Sequence, residues 1–306
     1  MNLKQLETFL WVAKLGSFSK TAERLFTTQP AISSRIANLE AELLVQLFDR
    51  EGGEVRLSAK GVELLALAED ALGAVQAMRD LAGVPAEISG ILRLGVSETI
   101  VQTWLSDLLA ELRENYPGLD VEISVDVTAN LRNELVEHAI DIALLMGPVS
   151  EYTVTNTPLN SFPLIWAMRP PTGTKPGAKP GRKGKLRMTL KEMRQYPILT
   201  FPRNTRPYFE ISEAMRARTG EVPRLFPSTS LSACQRMAER GVGIGSLPRV
   251  FAENALNDGR LIEIESDWYP TALNFTASYI ADPSRPILAR VAEMAQTISA
   301  SGTAQA

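Results

Sequence analysis

At 306 residues, 45% of them hydrophobic and 22% charged, the chain has apolar material for two or three domains with proper cores. Its 32 basic and 35 acidic side chains leave a formal charge of −3, which excludes attraction of nucleic acid through bulk positive charge. One cysteine (Cys234) and one histidine (His138) exclude an internal disulfide and a His-rich metal cluster, so the composition fits a reducing cytoplasm and predicts no metal and no cofactor.

The first helix is signalled by Leu3, Leu6, Leu10 and Ala13 at three- and four-residue spacing and ends at Gly16. No uninterrupted apolar run approaches the length of a membrane span, so neither a signal peptide nor an anchor is expected. Ala22 to Ile36 then read as helix, tight turn and second helix, with Thr28 as N-cap and Pro30 tolerated in the first turn. Ile32, Ile36 and Leu39 share the inward side, which leaves Pro30, Ser33 and Ser34 outward, Gln29 at the tip and Arg35 on a flank. Those side chains suit the DNA major groove: glutamine pairs with adenine, arginine with guanine or phosphate, serine with base edges or phosphate. Taken alone, an ordinary capped helix pair explains the stretch equally well. Phe48 to Leu57 add two short extended pieces around Gly52-Gly53, a wing carrying Arg50 and Arg56. Residues 1–58 hold seven basic and seven acidic side chains, so DNA affinity must come from a local stripe and from more than one copy.

The order helix, helix-turn-helix, wing resembles the N-terminal domain of LysR-type transcriptional regulators. The match continues through Leu39-Glu40, Leu47-Phe48-Asp49-Arg50 and Leu57-Ser58-Ala59-Lys60-Gly61, closely over about the first sixty residues. Leu44 departs from the family's usual Gly, Ser58 from Thr and Thr21 from Ala. The resemblance implies a transcriptional regulator, not an enzyme, that places Thr28, Gln29, Pro30, Ser33, Ser34, Arg35, Arg50 and Arg56 of a 1–58 winged helix-turn-helix domain on dyad-symmetric operator DNA.

Residues 58–84 form a long helical pattern in which Leu64, Ala68, Ala71, Val75, Met78 and Ala82 make a heptad seam. A linker helix within 59–87, pairing with a second copy, gives a dimer with two reading helices on one face of the DNA, and a tetramer beyond it. A helix simply packed on the C-terminal domain is the competing reading. Gly83-Val84-Pro85 ends the helix and Ile88-Ser89-Gly90 reads as a hinge.

Strands and helices alternate from there: strand 91–96, helix 101–115, strand 119–127 with Val121, Ile123, Val125 and Val127 on one face, helix 130–138 and strand 140–146. A second unit follows with strands 164–168 and 198–201, helices 207–219 and 230–240, and strand 244–247, before strand 273–280 and a last helix return to the first lobe. The expected class is α/β with a mostly parallel sheet in each lobe, lobe I being about 88–163 and 269–306 and lobe II about 164–268. This layout is similar to the effector-binding domain of the same family, which looks like periplasmic solute-binding proteins with a cleft between lobes. Pro170 to Arg187 carry six basic residues and repeated Pro-Gly, a mobile surface loop for which phosphate or DNA contact competes with simple solvation, and solvation needs no function. Cys234, among Leu231, Ala233 and Met237, reads as a buried thiol, and His138 as a helix C-cap where the family prefers Gly.

Open α/β sheets bind ligands outside the carboxyl ends of their strands, at helix N-termini that favour anions. Matched by strand order and the Pro202 to Pro207 spacing, the resemblance assigns effector contacts to Ser97, Thr99, Thr128, Pro202, Asn204 and Thr205. Arg203 is added on charge, so the implied effector is a small carboxylate. N-capping alone competes for Thr99, Thr128 and Thr205. Gly241, Gly243 and Gly245 run into a strand and lack nucleotide-loop spacing; they fit a tight helix-to-strand turn. An α/β enzyme, or a small-molecule binding protein, with an accessory winged-helix domain is the alternative, and the enzyme lacks a G-x-S-x-G elbow, a P-loop and a histidine partner for Cys234.

Overall fold

The computed structural model describes residues 1–49, 55–81, 90–171, 186–282 and 285–302. Arg50, the Gly52-Gly53 turn, Ala82, the hinge before Gly90 and residues 172–185 of the basic segment lie outside the described residues. Two compact units result: residues 1–89 with 281–289, and residues 90–280 with 290–306.

In the first unit, α1 (Leu3–Leu15) starts on an Asn2/Gln5 capping box and stops at Gly16, whose φ of 59° is the left-handed value glycine adopts without strain. It is followed by α2 (Phe18–Arg24), α3 (Gln29–Leu43), the antiparallel pair β1 (Phe48–Asp49) and β2 (Arg56–Leu57), and the 23-residue α4 (Ala59–Leu81). The core is Leu6, Phe9, Leu10, Ile32, Ile36, Leu39, Leu47 and Phe48, with Phe9 and Phe48 edge to face at 5.6 Å. Glu40 accepts from the backbone N–H of Leu47 and Phe48, which ties α3 to the wing. A Cβ on Gly61 would stand 2.2 Å from the Leu47 carbonyl oxygen, so α4 passes this close only because the residue is glycine. Leu44 ends α3 in the left-handed region (φ 57°) with its side chain 88% exposed.

The seam expected along α4 divides. Leu64, Ala68 and Ala71 pack with Leu65 and Leu72 into the core of their own unit, whereas Met78 is 70% exposed. The heptad stripe is therefore partly consumed by the winged domain, because α4 lies against α1 over its first turns.

The second unit holds two mixed sheets. The first runs through β3 (Gly90–Val96), α5 (Glu98–Val101), α6 (Leu105–Asn115), β4 (Leu119–Val125), α7 (Thr128–Val136), β5 (Ile142–Met146) and β6 (Val154–Phe162). The second takes β7 (Leu164–Met168), β8 (Leu186–Arg187), α8 (Leu190–Met193), β9 (Ile198–Thr200), α9 (Arg206–Thr219), β10 (Leu225–Pro227), α10 (Leu231–Glu239), β11 (Ile244–Pro248), α11 (Arg249–Asn257) and β12 (Ile262–Glu265). The chain then re-enters the first sheet with β13 (Leu273–Ile280) and ends in α12 (Ile287–Gly302). Strand orders are β4-β3-β5-β13-β6 and β10-β9-β11-β7-β12-β8. In each sheet one three-strand side is parallel, β4-β3-β5 and β10-β9-β11, while β13, β6, β7 and β12 join antiparallel.

Three expectations need correction. The helix predicted over 101–115 is two helices, broken where Thr103 turns its hydroxyl back onto the carbonyls of Thr99 and Ile100. The strand expected over 119–127 stops at Val125 and lies at the edge of its sheet, with Val125 54% exposed. The sheets are mixed, not mostly parallel, in part because of β6, where no strand was expected; it lies at a sheet edge, where Pro158 is tolerated. His138 does take a left-handed conformation (φ 57°), and Gly241 (φ 78°) turns α10 into β11 as the glycine spacing suggested.

Candidate functional site

The helix-turn-helix exposes the face the sequence assigned to it. The Thr28 hydroxyl accepts from the Ala31 N–H, and Pro30 sits in the first turn, where a missing N–H costs nothing. With Ile32, Ile36 and Leu39 fully buried, Thr28, Gln29, Pro30 and Ser34 are exposed and Ser33 and Arg35 half-buried. The Gln29 side-chain oxygen Oε1 accepts from the Ser19 hydroxyl at 3.2 Å. Arg35 leans back toward α1, donating to Thr8 Oγ1 at 3.4 Å, and borders an open hollow with Asn2, Lys4 and Asn38. Arg56 is exposed on β2.

In the second unit a cavity of about 440 Å³ opens at the carboxyl ends of β3, β4, β9 and β10, where the N-terminal ends of α5, α7, α9 and α10 meet. Of the expected effector residues, Ser97, Thr99, Thr128, Pro202 and Thr205 line it. Arg203 and Asn204 do not. The Thr205 hydroxyl donates to the Pro202 carbonyl, closing a turn whose exposed tip is Arg203-Asn204, and the Arg203 guanidinium donates to the Tyr208 hydroxyl at 2.8 Å. Arg206 is likewise engaged, with the Ala272 carbonyl and Glu210.

The capping role weighed for these hydroxyls is not the one they play. Val127, not Thr128, is the N-cap of α7; Ser97 and Thr205 occupy N-cap positions without a side-chain cap bond. Among the described residues no hydrogen bond occupies the hydroxyls of Ser97, Thr99 or Thr128.

Sequence reasoning missed the serines on the far wall. Ser228, Thr229 and Ser230 line the cavity just before α10, and their signal was a hydroxyl-rich run at a helix start, hidden because β10 is three residues long and ends in Pro227. Glu98 reaches across to this helix: its carboxylate accepts from the backbone N–H of Leu231 and Ser232 and from the hydroxyls of Ser230 and Ser232. Asp126 accepts from the Val127 N–H at 2.6 Å and the Asn130 amide at 2.9 Å. Apolar walls come from Met146, Phe201, Leu273 and Phe275. Behind the cavity, Cys234 is fully buried, and desolvation pushes its thiol up to about 11.

Residues 3–62 match the bacterial regulatory helix-turn-helix protein model of the lysR family, and residues 85–301 match the LysR substrate binding domain. The chain belongs to the LysR family. This LysR-type regulator is 27% identical over 268 residues to the HTH-type transcriptional regulator YeiE of Escherichia coli K12, covering 86% of each chain. Its fold is that of ArgP from Mycobacterium tuberculosis, with a TM-score of 0.61 at 21% identity over 96% of both chains. It is equally that of full-length LysG from Corynebacterium glutamicum, with a TM-score of 0.59 at 20% identity over 98% of this chain and 99% of that one. The regulator is thus a DNA-binding transcription factor with an effector-binding domain, not an enzyme. No helix among its described residues is long and apolar enough to cross a membrane.

Proposed function

We propose that this LysR-type regulator binds dyad-symmetric operator DNA in the cytoplasm and changes its promoter occupancy when a small carboxylate enters the cavity at Ser97, Thr99 and Thr128. The reading divides the chain into a DNA-binding domain (1–58), a linker helix (59–87) and an effector-binding domain (88–306) with a discontinuous first lobe. Thr28, Gln29, Pro30, Ser33, Ser34 and Arg35 meet the major groove, and the wing arginines Arg50 and Arg56 meet phosphates alike on any sequence. Because residues 1–58 carry no net charge, two reading heads are needed for tight binding, and the exposed Met78 of α4 is where a second copy pairs.

One observation carries the effector reading: the cavity offers three hydroxyls, on Ser97, Thr99 and Thr128, that no protein group occupies among the described residues. Hydroxyls and helix N–H groups suit carboxylate oxygens. LysG, whose fold this chain shares, is described with bound effector arginine, a ligand that carries a carboxylate. Contact by Arg203 or Asn204 is no part of the proposal, since neither lines the cavity.

Thermal-shift screening of the full chain against small carboxylic acids and amino acids tests the site, because a ligand raises stability in proportion to the logarithm of its concentration above Kd. Thr99→Val and Thr128→Val should each weaken the best compound by about tenfold, the value of one charge-assisted hydrogen bond. A compound that binds both variants with unchanged affinity refutes the site. Gel shifts with promoter fragments from the protein's own source test the DNA half: Gln29→Ala should cost about 1–3 kcal/mol, and added salt should weaken binding steeply.

A further inference from the structure

We infer that the effector is dipolar, carrying an ammonium group as well as a carboxylate: an amino acid with an apolar side chain. This rests on the proposed carboxylate site and deepens it. The charged side chains lining the cavity are Glu98 and Asp126, both acids, and no lysine or arginine lines it among the described residues. The nearest candidates turn elsewhere, Arg203 to Tyr208 and Arg206 to the Ala272 carbonyl and Glu210.

Against these two negative charges stand the N-terminal ends of α7, α9 and α10, helices of nine, fourteen and nine residues, each worth roughly half a positive charge. The sum is roughly −0.5, so the wall as a whole gives a lone anion no net attraction. A lone cation gains little from that half charge and still meets three helix N-termini. A ligand with both charges matches the wall at each end.

The two acids are not equivalent. Glu98 takes four donors at the start of α10, three on Oε1 and one on Oε2, so its charge is held against that helix. Asp126 takes one N–H on Oδ1 and one amide on Oδ2, which leaves each oxygen a further lone pair for a ligand donor. The ammonium group therefore belongs at Asp126, the carboxylate at the hydroxyls of Ser97, Thr99 and Thr128, and the side chain against Met146, Phe201, Leu273 and Phe275. A volume of about 440 Å³ suits a molecule of this size.

The test titrates the full chain calorimetrically with three matched series: L-leucine, L-methionine and L-phenylalanine; the same molecules without the amino group; and the same molecules without the carboxylate. The best amino acid should bind at least about tenfold tighter than either of its truncated forms, one charge-assisted hydrogen bond being worth that much. In Asp126→Asn, which keeps the shape of the side chain, the amino acid should fall to the affinity of its deaminated form. A deaminated acid that binds the native protein as tightly as the amino acid overturns the dipolar reading and leaves the carboxylate site standing. An amine that binds as tightly as the amino acid overturns both. Silence of all three series at millimolar concentration overturns the inference as well.

Discussion

Glu98→Ala removes the carboxylate that holds the start of α10, and its cost follows from what that carboxylate does. It satisfies the N–H groups of Leu231 and Ser232, two of the donors a helix start leaves without partners, and places a negative charge at the positive end of the helix. Loss of a capping acceptor costs about 0.5–2 kcal/mol, and loss of the charge a further 0.3–1. Ser230 still caps the Ala233 N–H, and water can enter from the cavity, which keeps the sum near the middle of these ranges, about 2 kcal/mol. For a unit of some 200 residues that is a drop of about 4–8 °C in Tm. Near-ultraviolet circular dichroism follows it through Trp166, which is fully buried in the second sheet of this unit. Glu98→Gln retains an acceptor but not the charge and should lose about half as much. If Glu98→Ala melts within about 1 °C of the native protein, the carboxylate does not hold α10 and the contact is incidental.

Leu44→Gly should stabilise the first unit by about 0.5–1 kcal/mol: relief of a left-handed leucine is worth about 1–2 kcal/mol, glycine's added freedom in the unfolded chain takes back about 0.5–1, and the exposed side chain gives up almost no packing. A urea midpoint that falls instead would mean the leucine makes a contact its exposure hides. With its thiol near 11, Cys234 should react with iodoacetamide at pH 8 about 100-fold more slowly in the folded chain than in urea, where the thiol returns to its ordinary value near 9. The same difference gives a stability contribution that is complete below pH 9 and lost as pH rises to about 11, because the unfolded chain ionises first; Cys234→Ala should lack that part of the alkaline loss. Met78→Asp should dissociate the proposed dimer by setting like charges against each other, and an unchanged sedimentation coefficient would remove α4 from the interface.

The first unit was legible because its signals are local. The turn between α2 and α3, the inward Ile32, Ile36 and Leu39, and Gly16 each depend on residues within a few positions of themselves. Where the structure departs from expectation, the cause is non-local. Nothing in Val121, Ile123 and Val125 says that their strand lies at the edge of a sheet. Nothing near Pro158 says that β13, more than a hundred residues on, will pair with it. The cavity shows the same division: Ser97, Thr99, Thr128 and Thr205 follow from strand ends and helix starts, which sequence reveals. Arg203 shows its charge in the sequence, but the turn closed by Thr205 decides its direction. The bond from Glu98 to α10 joins residues 133 apart and has no signature in either segment.

The place of β13 in the first sheet bears on how the chain is made. It lies between β5 and β6, so β6 has no partner and β5 only β3 until Ile280 has left the ribosome, 118 residues after Phe162 ends β6. At about 5–20 residues per second the wait is roughly ten seconds, during which the β5 edge stands open. The second sheet, drawn wholly from residues 164–265, is complete before that. The half encoded later closes first, and the earlier half waits for its missing strand.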